Sequence, residues 1–161
     1  MTTNKIVNIL GGGIFSAAIL LLILWIGFDT TIELGVKCLS QNDKLELLLS
    51  PSAWILVPML GLFIGFILSI VSPDEKAEFL YSRFGLFLGG VMVIIASLLS
   101  AIEAVNTPTG SLYHFPTIPG MLANYFIPYS IVLIGTSLIC SIGYGLGKAA
   151  KGALLWQQTN L

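Results

Sequence analysis

"SIVSPDEKAEFLYSRFG", residues 69–85, carries five of the fifteen Asp, Glu, Lys and Arg residues of this 161-residue chain. The long stretches on either side carry none. Ser72 is a favourable helix N-cap, Pro73 suits a first turn, and Glu75 stands three residues after Ser72, the spacing of a capping box. Asp74 and Glu75 fall where the positive end of a helix dipole favours acid. The stretch therefore reads as a water-exposed connector in which a helix starts at Pro73 and enters an apolar medium near Phe84. Its charges suit either a solvated cap on a helical hairpin or a docking face for a cytosolic partner, with Lys76 and Glu78 as the contacts.

The composition names the medium. Only 9% of residues are charged, where a soluble domain has roughly 25%. Hydrophobic residues reach 56% and the mean hydropathy is +0.95. The apolar residues come in runs, not at a period that would leave one wet face. Residues 6–28, 47–73, 84–102 and 104–147 are free of Asp, Glu, Lys and Arg. A helix needs about 20 apolar residues to cross roughly 30 Å of hydrocarbon. Four spans follow, at about 6–28, 53–71, 84–103 and 127–147, each helical because lipid offers no partner to open backbone groups. The fold expected is an all-α membrane protein, one domain over 1–161, with four transmembrane helices in a compact bundle. The "MTTNK" start is weakly basic and no small-x-small cleavage site follows the first run, so that run reads as a retained helix, not a signal peptide.

Basic residues orient the spans. Lys5, Lys76, Arg83, Lys148 and Lys151 fall on one side, and Lys37 and Lys44 on the other. Both termini and the 72–83 connector are therefore expected in the cytoplasm. Trp25 and Trp54 then sit at the outer headgroup level, and "KAAKGALLWQQ" at 148–158 reads as a cytoplasmic interfacial anchor.

Small residues recur four apart in every span. Gly61 and Gly65 mark the second, Gly85 and Gly89 the third, and Ser137, Ser141 and Gly145 the fourth, beside Gly143 and Gly147. The first has Gly12 with Ser16 and Gly13 with Ala17. In lipid, helices associate by close approach and dispersion, which small residues allow. Gly65 and Gly89 lie at matching depth, so the second and third spans are expected to meet there. Pro58 should bend the second span.

The segment 104–126 is uncharged apart from His114 and contains three prolines. Tyr113, His114 and Phe115 are its candidate contacts, with a partner or with the chain's own helices. In the other outer loop, "QNDKLELLLSP" at 41–51 reads as a short helix capped near Asn42 or Asp43 and ended by Pro51.

Reactive groups are few. His114 is the single histidine, and Cys38 and Cys140 are far apart in the sequence and in depth. Metal, haem or nucleophilic chemistry needs several such groups at fixed spacing, and no such motif is present. Asp29 and Glu103 end the first and third spans, where water reaches them, and no titratable group falls deep within a span. A net charge of −1 without a basic run leaves no footprint for nucleic acid. No catalytic, metal or cofactor-binding residue is assigned. The expected partners are membrane lipids and other integral membrane subunits or copies of the chain itself. The expected role is a non-enzymatic accessory subunit that assembles with or anchors a larger complex, with a bacterial inner membrane as its location. A homo-oligomeric channel lined by the Ser and Gly stripe of the fourth span, and an immunity or exclusion protein that binds a toxin or secretion component, are the alternatives.

Overall fold

A computed structural model describes residues 2–33, 41–72, 75–106 and 117–159. Among these the chain forms five helices: α1 (Thr2–Glu33), α2 (Gln41–Leu49), α3 (Ala53–Val71), α4 (Glu75–Asn106) and α5 (Ile118–Thr159). No strand occurs among the described residues. Four helices, all but α2, are long and apolar enough to cross a membrane, which marks an integral membrane protein.

Three of the long helices overrun the spans read from charge. α1 and α4 have 32 residues each, about 48 Å at 1.5 Å per residue, and α5 has 42. A charge ends a stretch that lipid tolerates; it does not end a helix. Lys5, Arg83 and Glu103 therefore lie within helices. α5 starts at Ile118, ahead of the expected 127, because Thr117 closes its first turn by accepting from the Met121 N–H at 3.0 Å. Pro119 then falls in that first turn, where no N–H is needed, while Pro128 lies inside the helix. At the other end α5 continues unbroken to Thr159, so the 148–158 segment is helical and continuous with the last span.

The expected cap at Ser72 is not made. Ser72 closes α3, donating its N–H to the Leu68 carbonyl at 3.0 Å with an extended ψ of 118°. Its carbonyl accepts from Lys151 Nζ on α5. The Ser72 hydroxyl is buried and makes no hydrogen bond among the described residues, so the capping box does not form. α4 is described from Glu75 onward, and the expected start at Pro73 lies outside the described residues.

α2 turns tightly into α3. The Ser50 N–H donates to the Leu47 carbonyl at 3.2 Å, the Ser50 and Ser52 hydroxyls lie 2.9 Å apart, and Trp54 Nε1 donates back to the Leu49 carbonyl at 3.2 Å.

α5 is the common neighbour. It packs along α1, α3 and α4, and α1 packs along α4 and less extensively along α3. α3 and α4 share no packed seam, so they flank the α1–α5 pair on opposite sides. The residues that face one another fix the directions. Gly12 and Gly13 meet Tyr144 and Ser141, so α1 runs antiparallel to α5, whereas Gly61 meets Cys140 and Gly147 meets Phe66, so α3 runs parallel to it. Thr2, Ser72 and Thr159 thus lie toward one end, here the terminal end; α2 lies at the opposite, distal end.

This arrangement overturns the expected meeting of Gly65 with Gly89. A Cβ on Gly65 would reach the Cys140 carbonyl and come within 2.9 Å of the Tyr144 nitrogen; one on Gly89 would lie 3.0 Å from Leu133 Cδ2. Both glycines face α5. Their depths match, but matching depth does not make two helices neighbours when a third offers a closer surface to each.

Candidate functional site

Five of the hydroxyls within the spans are satisfied by the helices that carry them. Ser16, Ser97, Thr136, Ser137 and Ser141 each donate a hydroxyl to the carbonyl four residues earlier, at 2.6–2.7 Å. A hydroxyl satisfied this way can be buried in apolar surroundings and leaves the residue small enough for a close helix approach.

The serine stripe of α5 serves such an approach. Ser141 lies against Gly13, and a Cβ on Gly145 would sit 3.7 Å from Ile9 Cγ2, both on α1. The neighbouring stripe, Cys140, Gly143 and Gly147, lies against α3 at Gly61, Leu62 and Phe66. Gly85 meets the Phe15 backbone of α1. The structure therefore places Gly61, Gly65, Gly85, Gly89, Ser141 and Gly145 in seams within the chain, and Ser137 beside a recess described below.

At the distal end the packing is of another kind. α2 turns Lys44, Leu45 and Leu48 inward and leaves Asp43, Glu46, Leu47 and Leu49 exposed. Lys44 is only 2% exposed, and its Nζ stands 5.1 Å from the centre of the Trp25 ring. That ring lies 6.0 Å from the Tyr129 ring, and the Tyr129 hydroxyl shares a 2.9 Å hydrogen bond with Ser100. Glu103 is half-buried one turn beyond Ser100. A small recess of about 30 Å³ runs beneath this group, among Leu21, Gly89, Met92 and Val132. A desolvated ammonium over an indole face is held by the ring quadrupole, so Lys44 fastens α2 to α1.

Three larger recesses face outward. One, of about 70 Å³, is a crease between α3 and α5 beneath α2, bounded by Leu49, Trp54, Val57, Pro58, Ile131 and Gly135. A Cβ on Gly135 would meet nothing within 4 Å, so the crease floor is open at that point. Another, of about 260 Å³, is a wedge between α4 and α5 in the terminal half, with Leu10 and Ile14 of α1 as its floor and Leu86, Ile134, Ser137 and Leu138 on its walls. A further recess of about 220 Å³ continues it distally past Gly90 and Ser130.

Of the expected contact residues, Tyr113, His114 and Phe115 lie outside the described residues, as does Cys38. Lys76 and Glu78 fall in the opening turns of α4, with side chains outside the described residues; the same holds for Asp29 near the end of α1. Cys140 is buried and forms no disulfide among the described residues. Sequence reasoning missed Lys44 as a buried residue, counting it only as a loop charge. Its signal was the spacing of Lys44, Leu45 and Leu48, which share one face of α2. Comparison with protein-family models, characterised proteins and solved structures finds no match.

Proposed function

We propose that this chain is a small integral membrane subunit that has no reaction of its own and assembles with, or anchors, a larger membrane protein complex. In this reading the four spans form one compact bundle in a bacterial inner membrane, both termini are cytoplasmic, and no cofactor is needed. The balance of five Lys and Arg residues against two supports the orientation.

The observation that carries the assembly role is the Gly135 crease. Close approaches between helices of this chain are made at glycines, because association in lipid depends on how near two backbones come. Gly135 offers the same approach but faces outward, between Ile131 and Trp54, with no neighbour of its own. An incoming helix gains packing there that a lipid tail gains less well. The serine stripe, which would have lined a channel, lies against α1 instead, so the channel alternative loses the feature that favoured it.

The test is extraction in a mild detergent followed by mass determination, with the wild type and Gly135→Leu side by side. The wild type is expected to carry one or more other membrane proteins. Filling the crease should weaken their retention by roughly tenfold, the effect of overpacking a close helix contact. A wild-type chain that runs as a lone monomer sinks the reading. A uniform oligomer of this chain alone identifies the partner as further copies of itself.

A further inference from the structure

The crease at Gly135 carries a hydrogen-bonding group as well as an open backbone. Pro58 bounds it, and proline has no N–H to give to the carbonyl four residues earlier, that of Trp54. Trp54 bounds the crease too, one turn from Pro58 on the same face of α3. Among the described residues, the two side-chain donors on the crease wall are given elsewhere. Thr136 Oγ1 donates to the Val132 carbonyl at 2.7 Å, and Trp54 Nε1 donates to the Leu49 carbonyl at 3.2 Å. The other bounding side chains are aliphatic or, at Gly135, absent. The Trp54 carbonyl is therefore an acceptor whose helical donor is missing, in a wall that supplies no substitute.

The register of α3 on α5 puts this carbonyl opposite Gly135. Lys151 reaches Ser72, seventy-nine residues away, and a Cβ on Gly61 would lie 3.2 Å from Cys140 Sγ, at the same separation in sequence. By that offset Gly135 stands level with Leu56, midway between Trp54 and Pro58. Helix carbonyls point toward the C-terminus, so the Trp54 oxygen lies at that level. An acceptor and a bare backbone thus share one level of a recess of about 70 Å³. Water gains little there, since a held water needs about two to four polar partners and this wall offers that carbonyl with no donor beside it. A Lys, Arg or Trp is too bulky for a close approach, whereas a hydroxyl is both small and a donor. In a lone helix such a hydroxyl is satisfied by its own backbone, as five are in this chain, so it is easily carried within a span.

We infer that the crease seats a transmembrane helix of another protein bearing a Ser or Thr within one turn of a small residue. The small residue lies on Gly135 and the hydroxyl donates to the Trp54 carbonyl. A second copy of this chain does not offer that face at Ser130, a hydroxyl it turns outward, because Phe126, Ile127, Leu133 and Ile134 stand one turn away and all are large. This rests on the assembly role proposed above and names the chemistry of the partner's surface. Pro58 keeps the acceptor open, since any other residue there would close it with its own N–H.

The experiment places a diazirine amino acid at Ile131, an exposed wall of the crease, irradiates native membranes holding the full chain, and reads the adducts as peptides. The expected adduct is a transmembrane segment of a different protein with Ser or Thr within a turn of Gly, Ala or Ser. Changing that Ser or Thr to Ala should weaken co-extraction by roughly threefold, the scale of one hydrogen bond between membrane helices. Pro58→Ala, which restores an N–H to the Trp54 carbonyl, should weaken it equally, and the two changes together should do no more than either alone. The isolated Pro58→Ala chain should unfold no more readily than the wild type, because its helix gains a bond. An adduct with this chain itself, with lipid only or with a segment lacking the hydroxyl overturns the inference, as does the absence of any adduct. So does a Pro58→Ala chain that holds its partner at full strength. If Gly135→Leu still releases the partner in that case, the assembly role stands without the hydrogen bond; retention by both variants removes both.

Discussion

The terminal and distal halves of this molecule are held together in opposite ways. In the terminal half helices touch backbone to backbone: Gly143 lies against Leu62 of α3, and a Cβ on Gly147 would stand 2.6 Å from the Phe66 carbonyl. In the distal half the packing is made by large side chains, with Trp25, Tyr129, Leu45 and Lys44 gathered together. One half depends on what the side chains lack, the other on what they supply. Added atoms should therefore damage the first, and removed atoms the second.

Gly65→Ala is the sharpest way to break that contrast. The atoms its methyl group would meet are the Cys140 carbonyl and the Tyr144 nitrogen, both backbone, so no side chain can swing aside. The α3–α5 seam must open, at about 3 kcal/mol, the upper part of the range for overpacking. Reversible unfolding in mixed micelles measures it. A variant as stable as the wild type would mean that the seam is looser than it is drawn here.

Lys44→Ala tests the distal half by subtraction. It removes a buried four-carbon stem and an ammonium that sits over Trp25, and should cost about 2 kcal/mol. The loss should be local. Amide exchange should rise through α2 while the α3–α5 seam keeps its protection, because α2 is joined to the long helices mainly by its own inward face. Lys44→Met, which keeps most of the stem, should lose only the part due to charge. Equal exchange in both variants would mean that the stem contributes nothing.

These two residues also show what the sequence could and could not disclose. The four spans were legible because lipid imposes one simple demand, a long run without charge, and every span met it. Helix α2 was legible as a short helix ahead of Pro51, although it takes in Asn42 and Asp43, which read as its cap. Neighbour relations were not legible. Gly65 and Gly89 each advertised a close contact, but four-residue spacing names a face and never the helix that fills it. Only the packing of α5 between α3 and α4 decides that. Ser72 was misread for a related reason. It ends α3 with its carbonyl taken by Lys151, seventy-nine residues away, and its buried hydroxyl caps nothing among the described residues. The wedge was out of reach altogether, since Leu10, Leu86 and Leu138 look like any lipid-facing residues until three helices bring them together.

The smallest effect lies inside a single dipeptide. Gly89 and Gly90 are adjacent on α4, yet they face different surroundings. A methyl group at Gly89 would crowd Leu133 Cδ2 at 3.0 Å, the tip of a flexible side chain that has room to turn. At Gly90 it would meet nothing within 4 Å. Gly89→Ala should therefore cost well under the Gly65 change, and Gly90→Ala should stabilise the chain by about 0.5 kcal/mol, the part of the glycine penalty that a helix interior recovers. Unfolding of the two single variants beside Gly65→Ala gives the order directly. If Gly90→Ala proved the most harmful of the three, a surface now drawn as open would have to be occupied. The division between glycine seams in the terminal half and large side chains in the distal half would then describe only part of the packing.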